Sequence, residues 1–239
     1  MSSIVKHAPR LSEQAAVRLA MDLFGLEVSA KQLPSERDQN FHLTCRTGEQ
    51  YVLKVANATE SIEVLEFQNQ VMMHIARTKD RLTQGIVAAP EICTSMNGEQ
   101  IISVEGLDGG AHFARLLTYL SGKPLARVRP HDAYLLTDLG RFFGGLDRIL
   151  ADFDHPAAHR DFHWDLKNAG RVVHRTIGLI DEPVKGDLIK RFLERFQKKI
   201  EPQLQELPTS VIHNDANDNN VLVEPHGKWR NRVSGVIDF

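Results

Sequence analysis

The pattern of apolar positions divides the chain into a strand-rich first part and a helix-rich second part. Apolar residues recur at helical spacing over residues 12–25, which predicts an amphipathic helix with Ser12 as its N-cap and Gly25 at its end. Short segments rich in β-branched and aromatic residues then alternate with polar turns, which predicts three strands of an antiparallel meander. These predicted strands cover residues 27–34, 40–46 and 50–56.

Helical spacing returns from Glu60 to Arg77 and is followed by two short strand-like segments. The segments cover residues 91–96 and 100–105, and the dipeptide Asn97-Gly98 between them is typical of a tight turn, so a hairpin is predicted. A further apolar run, Phe113–Leu120, predicts a last strand before the turn Ser-Gly-Lys-Pro.

Beyond that turn the sequence predicts helices over residues 131–151 and 184–206, because apolar residues again recur at spacings of three and four. Residues 154–170 are polar, aromatic and irregular. A final strand is predicted over Val233–Phe239. The change from strands to helices near residues 121–130 marks the predicted boundary between two lobes.

We therefore predict an α+β fold with a strand-rich lobe over residues 1–120 and a helical lobe over residues 121–239. Hydrophobic residues make up 42% of the chain, charged residues 25%, and the net charge is -2, as in ordinary soluble globular proteins. This composition predicts neither a nucleic-acid nor a membrane partner, because it provides no concentrated basic surface and no apolar run of ~20 residues. The absence of a secretory signal predicts a cytoplasmic location. Cys45 and Cys93 lie far apart in the sequence and are expected to be free thiols.

The residues that can carry chemistry lie near the end of the chain. Asp215 is on a loop between two apolar runs, Asn220 follows five residues later, and Asp238 ends a later strand. Phosphoryl transfer to a hydroxyl needs a carboxylate that accepts the hydroxyl proton, and oxygen ligands for Mg²⁺ at the triphosphate. Asp215 suits the first task and the other two residues suit the second. The order matches the kinase signature His-x-Asp-x4-Asn followed by Asp-Phe, in which His213 braces the loop.

The same loop has two other interpretations. The run Asp215–Asn219 also matches the start of a calcium-binding loop, but Asn220 stands where that loop needs glycine and His226 where it needs a bidentate glutamate. The segment is also compatible with a plain polar turn between two strands.

A lysine within an apolar strand, Lys54 in Tyr51–Val55, is the second candidate. It is costly to bury unpaired, so one interpretation is an edge strand from which the lysine reaches solvent. The other is a strand lysine that contacts the α- and β-phosphates of a nucleotide and pairs with a glutamate of the next helix, as in protein kinases. Residues 35–40, in contrast, contain no glycine where protein kinases have a glycine-rich loop over the phosphates.

At these residues the chain resembles the aminoglycoside phosphotransferase (APH) family, which is similar to protein kinases in fold and phosphorylates small molecules. The resemblance implies a two-lobed, kinase-like fold that uses ATP or GTP as donor and Mg²⁺ as cofactor. It implies that Asp215 is the catalytic base and that Asn220 and Asp238 are the metal ligands. Members of this family also tolerate a phosphate loop that contains no glycine.

The resemblance further implies how the nucleotide is held. Glu66 becomes the predicted partner of Lys54, because the family often has a glutamate near a glutamine in this helix, although Glu63 remains an alternative. The linker after Phe113–Leu120 corresponds to the hinge between lobes, which places Thr118 to Leu120 near the purine. The local sequence is equally compatible with an ordinary strand and turn.

The stretch Arg160–Asn168 resembles the hydroxylysine-kinase branch and the kinase part of phosphotransferase–aminotransferase fusion proteins. Residue types alone favour a structured surface loop here, although Asp161, His163 and Asp165 alternate as metal ligands can. We therefore expect a hydroxylysine-like amino alcohol as the acceptor and leave aminoglycosides, choline and homoserine as alternatives. ATP and GTP are not distinguished.

Members of the family continue well beyond the position of Asp238. We therefore expect a truncated C-terminal lobe in a longer protein that carries further domains, and weak nucleotide binding with poor turnover by the 239 residues alone. The competing interpretation is a non-catalytic, kinase-like nucleotide-binding module. An enzyme is favoured because Lys54, Asp215, Asn220 and Asp238 are all present.

Overall fold

A computed structural model describes residues 7–35, 37–106 and 109–239. The first part of the chain forms a six-stranded sheet and two helices. These elements are α1 (Glu13–Phe24), β1 (Val28–Leu33), β2 (Gln39–Cys45), β3 (Gln50–Val55), α2 (Ile62–Thr83), β4 (Ile92–Cys93), β5 (Ile102–Glu105) and β6 (Ala111–Thr118).

The predicted first helix is confirmed together with both of its caps. The hydroxyl of Ser12 accepts a hydrogen bond from the backbone N–H of Ala15 at 3.1 Å. Gly25 ends the helix in the left-handed conformation, with φ of 67°, which glycine adopts without steric cost. The antiparallel meander β1–β2–β3 is confirmed as well.

The predicted hairpin between residues 91–96 and 100–105 is wrong. The turn at Asn97-Gly98 forms, since the N–H of Gly98 donates to the carbonyl of Ser95 at 2.9 Å. However, β4 and β5 pair with β6 at separate positions along its length. Because β6 has eight residues and the other two strands have two and four, one edge of β6 accommodates both of them.

The two faces of this sheet differ in character because side chains of a strand alternate between faces. One face packs against α1, and the core residues that the helix and the sheet contribute there are almost completely buried. They include Ala16, Ala20, Phe41, Leu43, Leu53 and Leu116. The opposite face carries Asn40, Lys54 and Arg115 side by side in the register of β2, β3 and β6.

The later part of the chain adds a small second sheet. It contains β7 (Lys123–Pro124), β8 (Val221–His226) and β9 (Arg230–Val236), in the order β7-β8-β9. Helix α3 (Ala133–Leu150) joins this sheet where the carboxylate of Asp138 accepts the N–H of Val233 at 2.7 Å. The last strand lies closer to the N-terminus than predicted, because it pairs with β8 from Arg230 onward, and Asp238 therefore lies beyond the ladder.

Contacts divide the chain into two compact units, residues 1–153 with 215–239, and residues 154–214. The second unit contains α4 (Ala169–Thr176), α5 (Pro183–Lys199), α6 (Glu201–Leu204) and short 3-10 turns. The helix predicted over 184–206 is interrupted near Ile200, because Pro202 has no N–H to continue the helical pattern. Within the described residues, no helix is long and apolar enough to cross a membrane.

Candidate functional site

The predicted catalytic aspartate is exposed on the loop before β8, and its carboxylate is held by two amides of the same loop. The side-chain amide of Asn217 donates to Oδ1 of Asp215 at 2.9 Å. The side-chain amide of Asn220 donates to Oδ2 at 3.1 Å and to the backbone carbonyl of Asp215 at 2.9 Å. These hydrogen bonds fix the carboxylate in place while the residue stays open to solvent.

The loop itself is built around Asn217. Its side-chain oxygen accepts the N–H of Asn219 at 2.8 Å, a local turn typical of asparagine. The carbonyl of Asp218 accepts the N–H of Ala126 at 2.8 Å, which ties the loop to the segment after β7. The loop is therefore an ordered element, as a site for a reacting group requires.

Asn220 and Asp238 come together because the β8–β9 ladder ends beside them. Val221 lies opposite Val236 in the ladder, and the N–H of Ile237 donates to the carbonyl of Asn220 at 2.9 Å. Asp238 has a positive φ of 71°, which is uncommon for a residue with a side chain and is found preferentially at functional sites.

Lys54 of β3 reaches the same place from the first sheet. Its Nζ lies 2.7 Å from Oδ1 of Asp238. The lysine side chain is only 11% exposed, whereas that of the aspartate is 56% exposed. The ammonium is therefore paired by a carboxylate that also faces solvent, and the interpretation of Lys54 as a freely solvated edge lysine does not fit.

The predicted pair between Lys54 and Glu66 is not formed in this structure. Among the described residues, Lys54 makes its ion pair with Asp238 and none with Glu66 or Glu63, both of which are exposed. The reason is the rotation of α2, which buries Leu65 and Asn69 and so turns the two glutamates outward. Sequence periodicity located this helix but did not identify which polar residues face the sheet.

The predicted hinge segment, residues 118–120, begins at the last residue of β6. The N–H of Thr118 donates to the carbonyl of Glu91 at 2.9 Å, and its hydroxyl accepts the N–H of Glu91 at 2.9 Å. The N–H of Tyr119 donates to the carbonyl of Gln50 at 3.1 Å. Within the described part of the chain, the N–H of Leu120 makes no such hydrogen bond.

The loop between β1 and β2 is tied down by side chains rather than shaped by glycine. The buried Asn57, two residues beyond the end of β3, donates its backbone N–H to the carboxylate of Asp38 at 3.0 Å and its side-chain amide to the carbonyl of Arg37 at 3.2 Å. Arg37 also pairs with Glu60 at 3.0 Å. No role was predicted for Asn57, although an asparagine just beyond the end of a strand is a recognisable turn signal. Glu36 of this loop lies outside the described residues.

The oxygen donors around Asp238 fit a divalent cation of the Mg²⁺ type. Because the amide nitrogen of Asn220 is already bonded to Asp215, its side-chain oxygen remains for a cation. Asp238 supplies a carboxylate, and Mg²⁺ prefers one or two carboxylates completed by phosphate oxygens and water. The described residues contain no cluster of three or more His, Cys, Asp and Glu side chains that could hold a metal alone.

Comparison with known proteins identifies the family of the chain. Residues 29–239 match the family described as "Phosphotransferase enzyme family" (APH). The chain is 30% identical over 253 residues to a hydroxylysine kinase of Mus musculus, covering 97% of this chain and 65% of that protein. It is 31% identical over 261 residues to a hydroxylysine kinase of Xenopus laevis, covering 100% and 67%. The chain thus spans about two thirds of the length of these relatives.

Two solved structures show the fold. One is an amicoumacin kinase in complex with AMP-PNP, Ca²⁺ and Ami, with a TM-score of 0.68, 15% identity, and coverage of 100% of this chain and 66% of that one. The other is a microcompartment-associated aminopropanol kinase, with a TM-score of 0.69, 17% identity, and coverage of 93% and 68%. The predicted kinase-like α+β fold of the APH type is confirmed.

Proposed function

Because the chain belongs to the phosphotransferase enzyme family, we propose that it carries the nucleotide site and catalytic loop of a small-molecule kinase. This kinase transfers the γ-phosphoryl group of ATP or GTP to a hydroxyl of its acceptor. The observation that supports the proposal most is the 2.7 Å contact of Lys54 with Asp238, beside the ordered Asp215–Asn220 loop. Since the chain spans 65% of the length of the mouse relative, the activity of a complete protein is also part of the proposal.

Each side chain has a task that follows from its chemistry. Lys54 binds phosphate oxygens, since an ammonium in a mostly buried strand is a fixed positive charge facing a polyanion. Asp215 accepts a hydrogen bond from the acceptor hydroxyl and takes its proton as the new oxygen–phosphorus bond forms. The bond between the γ-phosphorus and the bridging oxygen of the β-phosphate breaks, and the nucleoside diphosphate leaves. When bound, Mg²⁺ neutralises phosphate charge, and Asn220 and Asp238 are the residues that would hold it.

The Lys54–Asp238 pair prepares this arrangement before any nucleotide binds. Each member of the pair keeps the other at the position where the triphosphate is needed, so less reorganisation is required on binding. Upon binding, phosphate oxygens share the ammonium of Lys54 with the carboxylate. Glu66, Thr118 and Leu120 stay predictions as nucleotide contacts, with the backbone N–H of Leu120 as the proposed purine donor.

For the acceptor we propose a hydroxylysine-like amino alcohol. The proposal is supported by relatives named hydroxylysine kinase, at 30% and 31% identity, and by the stretch Arg160–Asn168. Aminoglycosides, choline and homoserine remain alternative acceptors. The cytoplasmic location and the lobe boundary near residue 120 stay predictions.

The test is a panel of acceptors, each incubated with the complete protein, with ATP or GTP and with Mg²⁺, and analysed by mass spectrometry for the phosphorylated product. We expect product with 5-hydroxylysine and less or none with the other acceptors. Nucleotide binding without product from any acceptor would favour the competing function, a non-catalytic kinase-like module. Product with a different acceptor would keep the reaction class and replace the substrate.

A further inference from the structure

A buried arginine lies beside Lys54 and has no role in the mechanism described above. Arg115 of β6 is directly opposite Lys54 in the β3–β6 register, and both point away from the core face of the sheet. Side chains directly opposite each other on neighbouring strands lie close together, and like charges at such positions destabilise a sheet. Two cations have therefore been placed side by side next to the proposed triphosphate site.

In the described part of the chain, the hydrogen-bond acceptors of Arg115 are uncharged groups of α2. One nitrogen donates to the side-chain oxygen of Asn69 at 2.8 Å and to the carbonyl of Leu65 at 3.3 Å. The other donates to the side-chain oxygen of Gln68 at 2.6 Å. These bonds connect the sheet to the helix at the place where protein kinases use a lysine–glutamate pair.

The positive charge of Arg115 is buried. The residue is 3% exposed, and among the described residues it takes part in no ion pair. Burial lowers the pKa of Arg115 to about 10, and the negative charges of Asp38, Glu60 and Asp238 offset part of this effect. A cation whose hydrogen bonds all go to amide groups keeps its field. This field acts on Lys54, the direct neighbour of Arg115 in the register, and Arg115 in turn interacts electrostatically with Asp238.

We propose that Arg115 is a positioning residue of the nucleotide site: through Gln68 and Asn69 it ties α2 to the sheet, and its charge favours the triphosphate. The inference rests on the proposed function. This role of Arg115 explains why Lys54 needs no glutamate of α2. Because Arg115 connects the helix to the sheet, Lys54 can form its ion pair with Asp238. The same role explains why two adjacent cations are tolerated, since a bound polyanion relieves their repulsion.

The test compares the affinity for a triphosphate, AMP-PNP with Mg²⁺, with the affinity for uncharged adenosine, both measured by calorimetry. In Arg115→Met we expect triphosphate affinity to fall about tenfold more than adenosine affinity, the scale of one lost charge near the site. Arg115→Lys keeps the charge but loses the forked hydrogen bonds, so it is expected to retain the preference for triphosphate. In Arg115→Lys, amide hydrogen exchange in Ile62–Thr83 is expected to become faster. Arg46→Met, at a side chain that is 89% exposed, is the matched control and should change neither affinity.

Equal losses of both affinities in Arg115→Met would show a purely structural residue and overturn the inference. If that variant does not fold, Arg115→Lys decides, since loss of its triphosphate preference or unchanged exchange in α2 overturns the inference as well. Wild-type protein that binds no triphosphate would overturn the proposed function together with this inference. Wild-type binding with an unchanged preference in Arg115→Met would overturn this inference alone.

Discussion

The Nζ atom of Lys54 lies 2.7 Å from Oδ1 of Asp238, although 184 positions separate the two residues in the sequence. The contact joins a strand of the six-stranded sheet to the segment that follows the last strand of the small sheet. It brings the proposed phosphate-binding cation and a proposed metal-binding carboxylate to one place. Asn220 is held nearby, because its carbonyl accepts the N–H of Ile237, the residue before Asp238.

The first prediction concerns Lys54. In Lys54→Met we expect the affinity for AMP-PNP to fall by about one to two orders of magnitude, because a buried ammonium facing the phosphates is lost. Calorimetric titration measures the change. Lys31→Met, at an exposed position of β1, is the control and should bind as the wild type does. Equal affinities in Lys54→Met and wild type would mean that Lys54 serves only the fold.

Much of this site follows from local order in the sequence, and the remainder depends on packing. Asp215, Asn220 and the strand before Asp238 are close along the chain, so their grouping could be predicted from spacing. The position of Lys54 on a third strand followed from the hydrophobic pattern. Its partner could not be predicted, because the choice between Glu66 and Asp238 depends on how α2 rotates against the sheet.

The fold shows the same division between local and long-range information. The cap at Ser12 and the meander depend on neighbouring residues, and both were predicted correctly. The hairpin at Asn97-Gly98 was predicted wrongly, because a good local turn does not determine whether its flanking strands pair with each other or with β6. The network of Arg115 has no sequence signal, since a single arginine in a strand is usually exposed.

The second prediction concerns the divalent metal. In Asp238→Ala we expect Mg²⁺ to lose most of its enhancement of AMP-PNP affinity, because the carboxylate that would hold the ion is absent. Affinity without metal should be unchanged or higher, since Lys54 no longer shares its charge with Asp238. Titrations with AMP-PNP in the presence of Mg²⁺ and in the presence of EDTA measure the affinities with and without metal. Asp218→Ala is the control and should keep the wild-type effect of Mg²⁺. If Mg²⁺ raised the affinity of Asp238→Ala as much as that of the wild type, Asp238 would not be a metal ligand.

The third prediction concerns the turn that leads into β7. Gly122 has φ of 144°, and a Cβ there would lie 2.6 Å from Oγ of Ser234 and 3.0 Å from Cβ of Leu222. Gly48 also has a positive φ, 100°, but a Cβ there would meet nothing within 4 Å. We expect Gly48→Ala to lower the free energy of unfolding by about 1 kcal/mol and Gly122→Ala by about 2–4 kcal/mol. Urea denaturation measures both values, and equal losses would contradict the predicted clash.

The fourth prediction concerns pH. Burial, with a smaller contribution from Glu91, raises the pKa of the Cys93 thiol. As pH rises above the ordinary thiol pKa of ~8.5, the unfolded chain loses this proton before the folded one. The folded state then binds more protons, so stability should fall with increasing pH in this range. Urea denaturation of wild type and Cys93→Ala between neutral and alkaline pH tests the sign, with a shallower decline expected in the variant. Parallel declines would show that other groups, such as Cys45, cause the loss.

The central claim, that Asp215 acts on the acceptor hydroxyl, is tested most directly by the rate of phosphoryl transfer in the complete protein, with Asp215→Asn compared with Asp218→Asn. Both residues are exposed and lie three positions apart on one loop, so the two variants lose the same charge from nearly the same place. We predict that Asp215→Asn lowers the rate roughly 10²–10⁴-fold, as for loss of a general base, while nucleotide affinity stays near the wild-type value. Asp218→Asn should retain the wild-type rate. Equal rates in the two variants would contradict the account.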